Sequence, residues 1–222
     1  MSGWTRDALA ALVAADIPDG AFVNLGIGLP ERVANHIPPD REVVFQSENG
    51  ILGMGPQPPA ELEDMELINA GKKPVTLLRG GAFFHHGDSF AMIRGGHIDI
   101  CILGAFEVSA AGDLANWSSG NDAAPAIGGA MDLAAGARSL RVITTHLTRQ
   151  GAPKLLARLT MPATGRGVVS LVYTDQAVLK PAGDHFDILD VAPGVDVESL
   201  AGSTAAPVRL ALRTQVGDAA SR

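Results

Sequence analysis

The group in this chain best placed to do chemistry is a carboxylate. Glu48 stands in Ser47-Glu48-Asn49-Gly50, directly after Glu42-Val43-Val44-Phe45, a β-branched and aromatic run that reads as a short buried strand. Asn49-Gly50 marks a turn, because both residues tolerate positive φ at little steric cost. A strand that breaks there would hold the backbone rigid and let the Glu48 side chain face a cleft. An ionised carboxylate is a nucleophile without help from a general base. Against a thioester it would form a mixed anhydride and expel a thiolate. The thiolate could return to give a glutamyl thioester, which a second carboxylic acid then attacks. Each step passes through a tetrahedral oxyanion, and losing one preorganised N–H donor to such a species typically costs about 10²–10³ in rate. Gly128-Gly129, ahead of the helix start Ala130-Met131-Asp132-Leu133, is suited to supply one. The chain carries no Gly-x-Ser-x-Gly elbow, no P-loop and no His-Glu-x-x-His. The plainer alternative is a surface glutamate beside a hairpin turn.

The elements that would position Glu48 follow from composition and periodicity. The chain has 222 residues, 46% hydrophobic and 18% charged, and no linker-like stretch divides it, so one domain over 1–210 is expected, with 211–222 a frayed tail. A formal charge of −7 argues against a nucleic-acid surface. The single cysteine, Cys101, lies in the apolar run 98–103 and reads as a packed, inert thiol. It can neither form an internal disulfide nor build a cysteine-rich metal site. With no apolar signal core at 1–6 and no apolar run of about 18 residues, the expectation is a cytoplasmic protein that makes no membrane contact.

Thr5 can cap a helix whose apolar positions Leu9, Leu12, Val13 and Ile17 recur at helical spacing. A first strand over 21–25 leads into Gly26-Ile27-Gly28, with Pro30 opening a helical segment through Ile37. That strand, glycine turn and helix start let the backbone N–H groups of Gly26 and Gly28 approach a ligand. The dinucleotide fingerprint fails, because Glu31 stands where its third glycine belongs. After Glu48 comes a Gly/Pro-rich loop, then a strand over 74–78, then Phe83-Phe84-His85-His86, with Asp88 or Ser89 as cap of a short helix ending at Gly95-Gly96. Strands are further expected around Cys101 and over 140–144 and 168–173, with a hairpin of 177–179 and 186–189. Continuously apolar strands alternating with helical segments predict an α/β domain with a largely parallel or mixed sheet covered by helices. Ligands in such sheets sit at the carboxyl ends of the strands, where the turns after Asn24, at Glu48 and at Gly128-Gly129 belong.

Six blocks in order resemble the B-type subunit of the class I CoA-transferases, the succinyl-CoA:3-oxoacid type, on a sugar-phosphate-isomerase-like fold. They are 24–28, Ser47-Glu48-Asn49-Gly50, 67–72, 89–97, 112–117 and 128–133. The resemblance implies that Glu48 is the nucleophile forming a glutamyl-CoA thioester. It implies that Gly129 donates an oxyanion N–H, that Asn24 lies in the active-site wall and that Lys72 lies near the CoA cleft, where Asn49, Gly26, Gly28 and Gly128 join the binding surface. No cofactor is held permanently and no metal is needed; the CoA thioester is the substrate.

The block 79–88 looks more like the 3-oxoadipate enzymes than the acetoacetate enzymes. The loop 120–127 agrees, with Asp122 and Pro125 where the acetoacetate type tends to carry lysines. A second carboxylate on the acceptor calls for donors or cations at its far end, which Arg79, His85 and His86 could provide. The alternative is that the two histidines pack beside the turn. The resemblance also implies a separate A-type subunit carrying the other half of the cleft, an A2B2 heterotetramer, and an inactive chain when alone. The rival readings are the corresponding part of an acetoacetate:succinyl-CoA transferase, an acyl-CoA hydrolase in which water intercepts the thioester, and a small-molecule sensor with no use for Glu48.

Overall fold

The computed structural model describes residues 3–120 and 128–211; Asp122, Pro125 and the tail from residue 212 on lie outside the described residues. In chain order the elements are α1 (Arg6–Ala15), β1 (Phe22–Leu25), a 3₁₀ helix (Pro30–His36), β2 (Val44–Ser47), β3 (Ile51–Met54) and β4 (Leu77–Phe83). There follow α2 (His86–Arg94), β5 (Ile100–Leu103), β6 (Glu107–Ser109), β7 (Leu114–Ala115), α3 (Ala130–Gly136) and β8 (Ser139–Thr144). The chain closes with β9 (Leu155–Leu156), β10 (Val169–Thr174), β11 (Ala177–Pro181), β12 (Phe186–Val191), α4 (Val197–Gly202) and β13 (Val208–Leu210).

Ten strands form one sheet in the order β13-β12-β11-β10-β8-β5-β1-β2-β3-β4. Its centre, β10-β8-β5-β1-β2, is parallel, and antiparallel hairpins extend it at both sides. The centre carries the Val/Ile-rich strands, as expected where both faces are covered. β1 sends the chain out to β2 on one side, and the return is to β5 on the other. That reversal opens a crevice at the carboxyl ends of β1, β2 and β5.

One face buries Leu9, Val13 and Ile17 of the α1 segment with Val33, Val23, Ile102 and Tyr173. Thr5 caps α1 by accepting from the Ala8 N–H at 3.2 Å. The other face gathers Ile93 of α2, Leu133 of α3 and Leu200 of α4 over Cys101, Leu103, Val142 and Val172. Helices are few and short, so a small sheet, β7-β6-β9, takes part of the cover on that face.

Several boundaries differ from the sequence expectation. The run after Glu48 is a strand, β3, hairpinned to β2, and β4 begins at Leu77 and runs through Gly80-Gly81. Helix α2 starts earlier than Asp88, because His85 caps it by accepting from the Gly87 N–H at 3.0 Å, while Ser89 turns inward instead. β7, β9, α4 and β13 are elements the sequence reading did not anticipate. The helix start at Gly129, the strands at 140–144 and 168–173 and the C-terminal hairpin lie where their patterns placed them.

Candidate active site

Glu48 is the first residue past β2, on the tight turn into β3. The turn closes through Gly50 N to the Ser47 carbonyl at 2.9 Å, and the Gly50 carbonyl accepts from Phe84 N at 3.0 Å. Gly50 has φ +110°, and a Cβ there would collide with the Phe84 carbonyl oxygen. A side chain is therefore excluded both by conformation and by space. The bulkless position lets the start of α2 close over the nucleophile turn.

Next to this turn, Asn24 on β1 and Gln46 on β2 are direct register partners, and both are buried. The Asn24 amide Nδ2 donates to Gln46 Oε1 at 2.6 Å, to the Gln46 carbonyl at 3.2 Å and to Glu48 Oε2 at 3.3 Å. Gln46 Nε2 in turn donates to Ser89 Oγ at 2.6 Å. Glu48 itself is half-buried. Across from it stands Gly129, the N-cap of α3: a Cβ built there would lie 3.8 Å from Glu48 Cγ and 3.1 Å from Phe90 Cζ. The turn after β1, the turn after β2 and the start of α3, far apart in sequence, thus meet at one carboxyl edge.

Cys101, in register with Asn24 on β5, lies beneath them. Burial and the neighbouring Glu48 carboxylate raise its pKa, so it stays a neutral thiol and offers no competing nucleophile. Among the described residues no three His, Cys, Asp or Glu side chains gather as a metal site.

The segment 67–74 folds over the turn and is tied to it. Asn49 Nδ2 donates to the Ile68 carbonyl at 2.7 Å, and Ala70 N donates to Ser47 Oγ at 3.0 Å. Lys72 sits at the crest of this segment with φ +62°, its side chain exposed. The Gly26-Ile27-Gly28 turn lies alongside. Gly26 N donates to the Ile102 carbonyl at 2.8 Å, and a Cβ on Gly26 would press on Leu103. Gly28 N donates to Glu31 Oε2 at 2.8 Å, and the same oxygen pairs with Lys73 Nζ at 2.6 Å. Glu31, which broke the dinucleotide pattern, here clasps the two loops together. Gly128 precedes Gly129 with φ +52°.

Among the candidates for the far end of a substrate, His85 spends Nδ1 on the helix cap and keeps Nε2 for other use. The His86 ring packs on Phe90 with centroids 4.7 Å apart, and Arg94 lies 5.7 Å over the same ring. Arg94 also pairs with Asp132 of α3 at 2.7 Å. Arg79 lies on β4, away from the helix cap. Sequence reasoning missed Gln46, Ser89, Phe90 and Glu31. Only Gln46, a polar residue within an otherwise apolar buried strand, carried a legible signal.

Residues 6–202 match the family model described as coenzyme A transferase. The chain belongs to the coenzyme A transferase family. It is 54% identical over 203 residues to the B-type subunit of the 3-oxoadipate CoA-transferase of Acinetobacter baylyi, covering 91% of this chain and 94% of that one. It is 53% identical to the corresponding protein from Pseudomonas putida, over 92% of this chain and 96% of that one. The B-type subunit of the succinyl-CoA:3-ketoacid coenzyme A transferase of Helicobacter pylori is 43% identical over 93% of this chain and 100% of its own. Among solved structures, the acyl-CoA transferase YdiF of Escherichia coli O157:H7 superposes with a TM-score of 0.72 at 18% identity over 94% of this chain. The match spans 42% of the YdiF chain. Glutaconate coenzyme A-transferase of Acidaminococcus fermentans gives 0.61 at 16% identity, covering 96% of this chain and 91% of that one. At these identities the likeness is one of fold. Among the described residues no helix is long and apolar enough to cross a membrane.

Proposed function

We propose that this chain is the B-type subunit of a succinyl-CoA:3-oxoacid CoA-transferase whose acceptor is 3-oxoadipate, and that Glu48 is its nucleophile. The observation that carries the reading is the Glu48 carboxylate, fixed at the end of β2 by Asn24, with Gly129 so near that a Cβ there would lie 3.8 Å from Glu48 Cγ. A Glu48 oxygen attacks the thioester carbonyl of succinyl-CoA; the C–S bond breaks and the CoA thiolate leaves a mixed anhydride. The thiolate attacks the Glu48 acyl carbon and expels succinate, leaving a glutamyl-CoA thioester. The acceptor carboxylate then displaces the thiolate to a second anhydride. Thiolate attack on the acceptor's acyl carbon releases the new thioester and restores the Glu48 carboxylate. No net proton, metal or organic cofactor is consumed. The Gly129 N–H, at the head of α3, is assigned to the oxyanion.

Asn24, Asn49, Gly26, Gly28, Gly128 and Lys72 form the wall along which CoA and the acyl group lie. His86, joined to Gly129 through Phe90, is the group best placed for the distal carboxylate of 3-oxoadipate, with His85 Nε2 beside it. The acceptor assignment follows identity, 54% to part of a 3-oxoadipate enzyme against 43% to part of a succinyl-CoA:3-ketoacid one. Relatives named as one subunit of two support a separate A-type partner in an A2B2 assembly. A cytoplasmic setting suits a chain with one buried, reduced thiol.

The test is to purify the complex with its co-expressed A-type partner, incubate it with succinyl-CoA without acceptor, and weigh this chain intact. A mass gain equal to CoA (less the water lost), mapped to the peptide holding Glu48, is the expected result. Turnover with 3-oxoadipate well above that with acetoacetate is expected in the second step. A complex that binds CoA yet forms no adduct would overturn the nucleophile.

A further inference from the structure

Behind Glu48 runs a buried polar chain that the proposed reaction does not itself require. Asn24 and Gln46 are 0% and 1% exposed, and Ser89, reaching in from α2, is 0% exposed. Two amides and a hydroxyl at the centre of a β-sheet are costly to bury, and a parallel core of this kind is ordinarily apolar. Their arrangement gives the reason.

A carboxamide has nearly the same shape either way round, so its orientation is set by a neighbour of fixed polarity. Here that neighbour is the Ser47 carbonyl, which can only accept. Ser89 Oγ donates to it at a long 3.5 Å, leaving its lone pairs to accept from Gln46 Nε2 at 2.6 Å. Gln46 therefore presents its oxygen to Asn24, and Asn24 presents its NH2 to Gln46 Oε1 at 2.6 Å and to Glu48 Oε2 at 3.3 Å. Asn24 Oδ1 is left without a partner among the described residues. Turning Asn24 over would satisfy that oxygen through a reversed Gln46 but would set it against the Glu48 carboxylate. The unpaired acceptor is thus the smaller of two penalties, and the direction of the whole chain is tied to an anion at Glu48.

We propose that Gln46 and Ser89 are positioning residues which lock the Asn24 amide with its N–H groups towards Glu48, holding the nucleophile ionised and aimed. This rests on Glu48 being the nucleophile. Neither residue touches substrate; both act through Asn24. The same helix that brings Ser89 under β2 brings Phe90 against Gly129, so α2 registers the nucleophile and the oxyanion donor together.

The experiment uses the two-subunit complex and follows single-turnover formation of the CoA adduct on Glu48 from succinyl-CoA, as a function of pH, together with KM and thermal unfolding. Ser89→Ala and, independently, Gln46→Met are expected to slow adduct formation about ten- to a hundredfold at unchanged KM. Both are expected to move the acid limb of the rate profile to higher pH, because the carboxylate loses its fixed donor. Ser89→Cys, which keeps a weak donor and acceptor, should recover part of the rate. Should Ser89→Ala fail to fold, Gln46→Met carries the same test at the next link. Folded variants that lose thermal stability but keep rates within about twofold and an unmoved acid limb would overturn the proposal, leaving the chain a packing device. A wild-type complex without an adduct would overturn Glu48 as nucleophile and this inference with it, so the wild-type arm separates the two failures.

Discussion

Glu48 reaches Asn24 across 3.3 Å and lies against the Gly129 backbone, so its length matters as much as its charge. Glu48→Asp withdraws the carboxylate by about 1 Å and should cost on the order of 10² in turnover, read as the rate of adduct formation with unchanged binding of CoA. Gly129→Ala places a methyl 3.1 Å from Phe90 Cζ, which the ring can yield to, and beside Glu48 Cγ. A fall in kcat with a thermal midpoint lower by only a few degrees is expected, because the methyl enters the reacting space and not the core. Lys72 separates backbone from side chain. Its φ of +62° strains any residue with a Cβ, so Lys72→Gly should stabilise the protein by about 1 kcal/mol while Lys72→Ala does not. If the lysine side chain meets CoA, both variants raise KM alike; an unchanged KM in both would remove Lys72 from the binding surface.

At the level of elements, the β2–β3 hairpin depends on Gly50. Gly50→Ala combines a left-handed backbone with the Phe84 carbonyl, and a loss on the order of 1–3 kcal/mol or more is expected in chemical denaturation. The end of β8 carries a second, acid-sensitive joint. His146 is buried, its Nδ1 facing Thr174 Oγ1 at 3.1 Å and its Nε2 facing Thr204 Oγ1 at 2.9 Å. Thr174 Oγ1 already accepts from Gln176 N and Ala177 N, and Thr204 Oγ1 donates to the Leu200 carbonyl. The neutral Nε2–H tautomer satisfies every group, whereas the imidazolium would aim a donor at an oxygen that is already taken. Burial accordingly lowers its pKa from the usual 6.5 to about 4. The unfolded chain binds the extra proton first, so stability is intact above about pH 6.5 and falls by on the order of 3 kcal/mol as pH drops towards 4. Removing that slope with His146→Gln would confirm it in pH-dependent denaturation. The same elements show what the sequence made legible. Apolar runs such as 100–103 and the N-cap of Thr5 are local signals, and they were read correctly. β3 and β4 were misread because glycines that look like loop residues, Gly53, Gly80 and Gly81, are strand residues there. Gly53 and Gly81 approach so closely that a Cβ on Gly53 would lie 2.9 Å from Gly81 Cα. Ser89 and Phe90 join the site only through tertiary packing, which no spacing in the sequence encodes.

For the whole molecule, the proposed partner makes a plain prediction: the chain alone should show no transfer, and adding the A-type partner should restore it and raise the thermal midpoint by mass action. Exposed Leu78 and Phe83 on the edge strand β4 are apolar surface of the kind such a partner would cover, and shielding of both in hydrogen exchange on mixing is expected. One further tie concerns how the molecule comes to exist. The Tyr173 hydroxyl donates to Asp16 Oδ2 at 2.6 Å, and Arg141 Nη1 donates to the Asp16 carbonyl at 3.0 Å, contacts that span 157 and 125 residues. Helix α1 therefore leaves the ribosome long before β8 and β10, the strands it packs on, have been made. β1 likewise waits for β5, its register partner some 77 residues on. Such long-range closure makes for slow assembly and an exposed apolar helix during synthesis. The nascent chain is thus the form most in need of a chaperone, and the carboxyl edge that holds Glu48 is completed only when the last parallel strand docks.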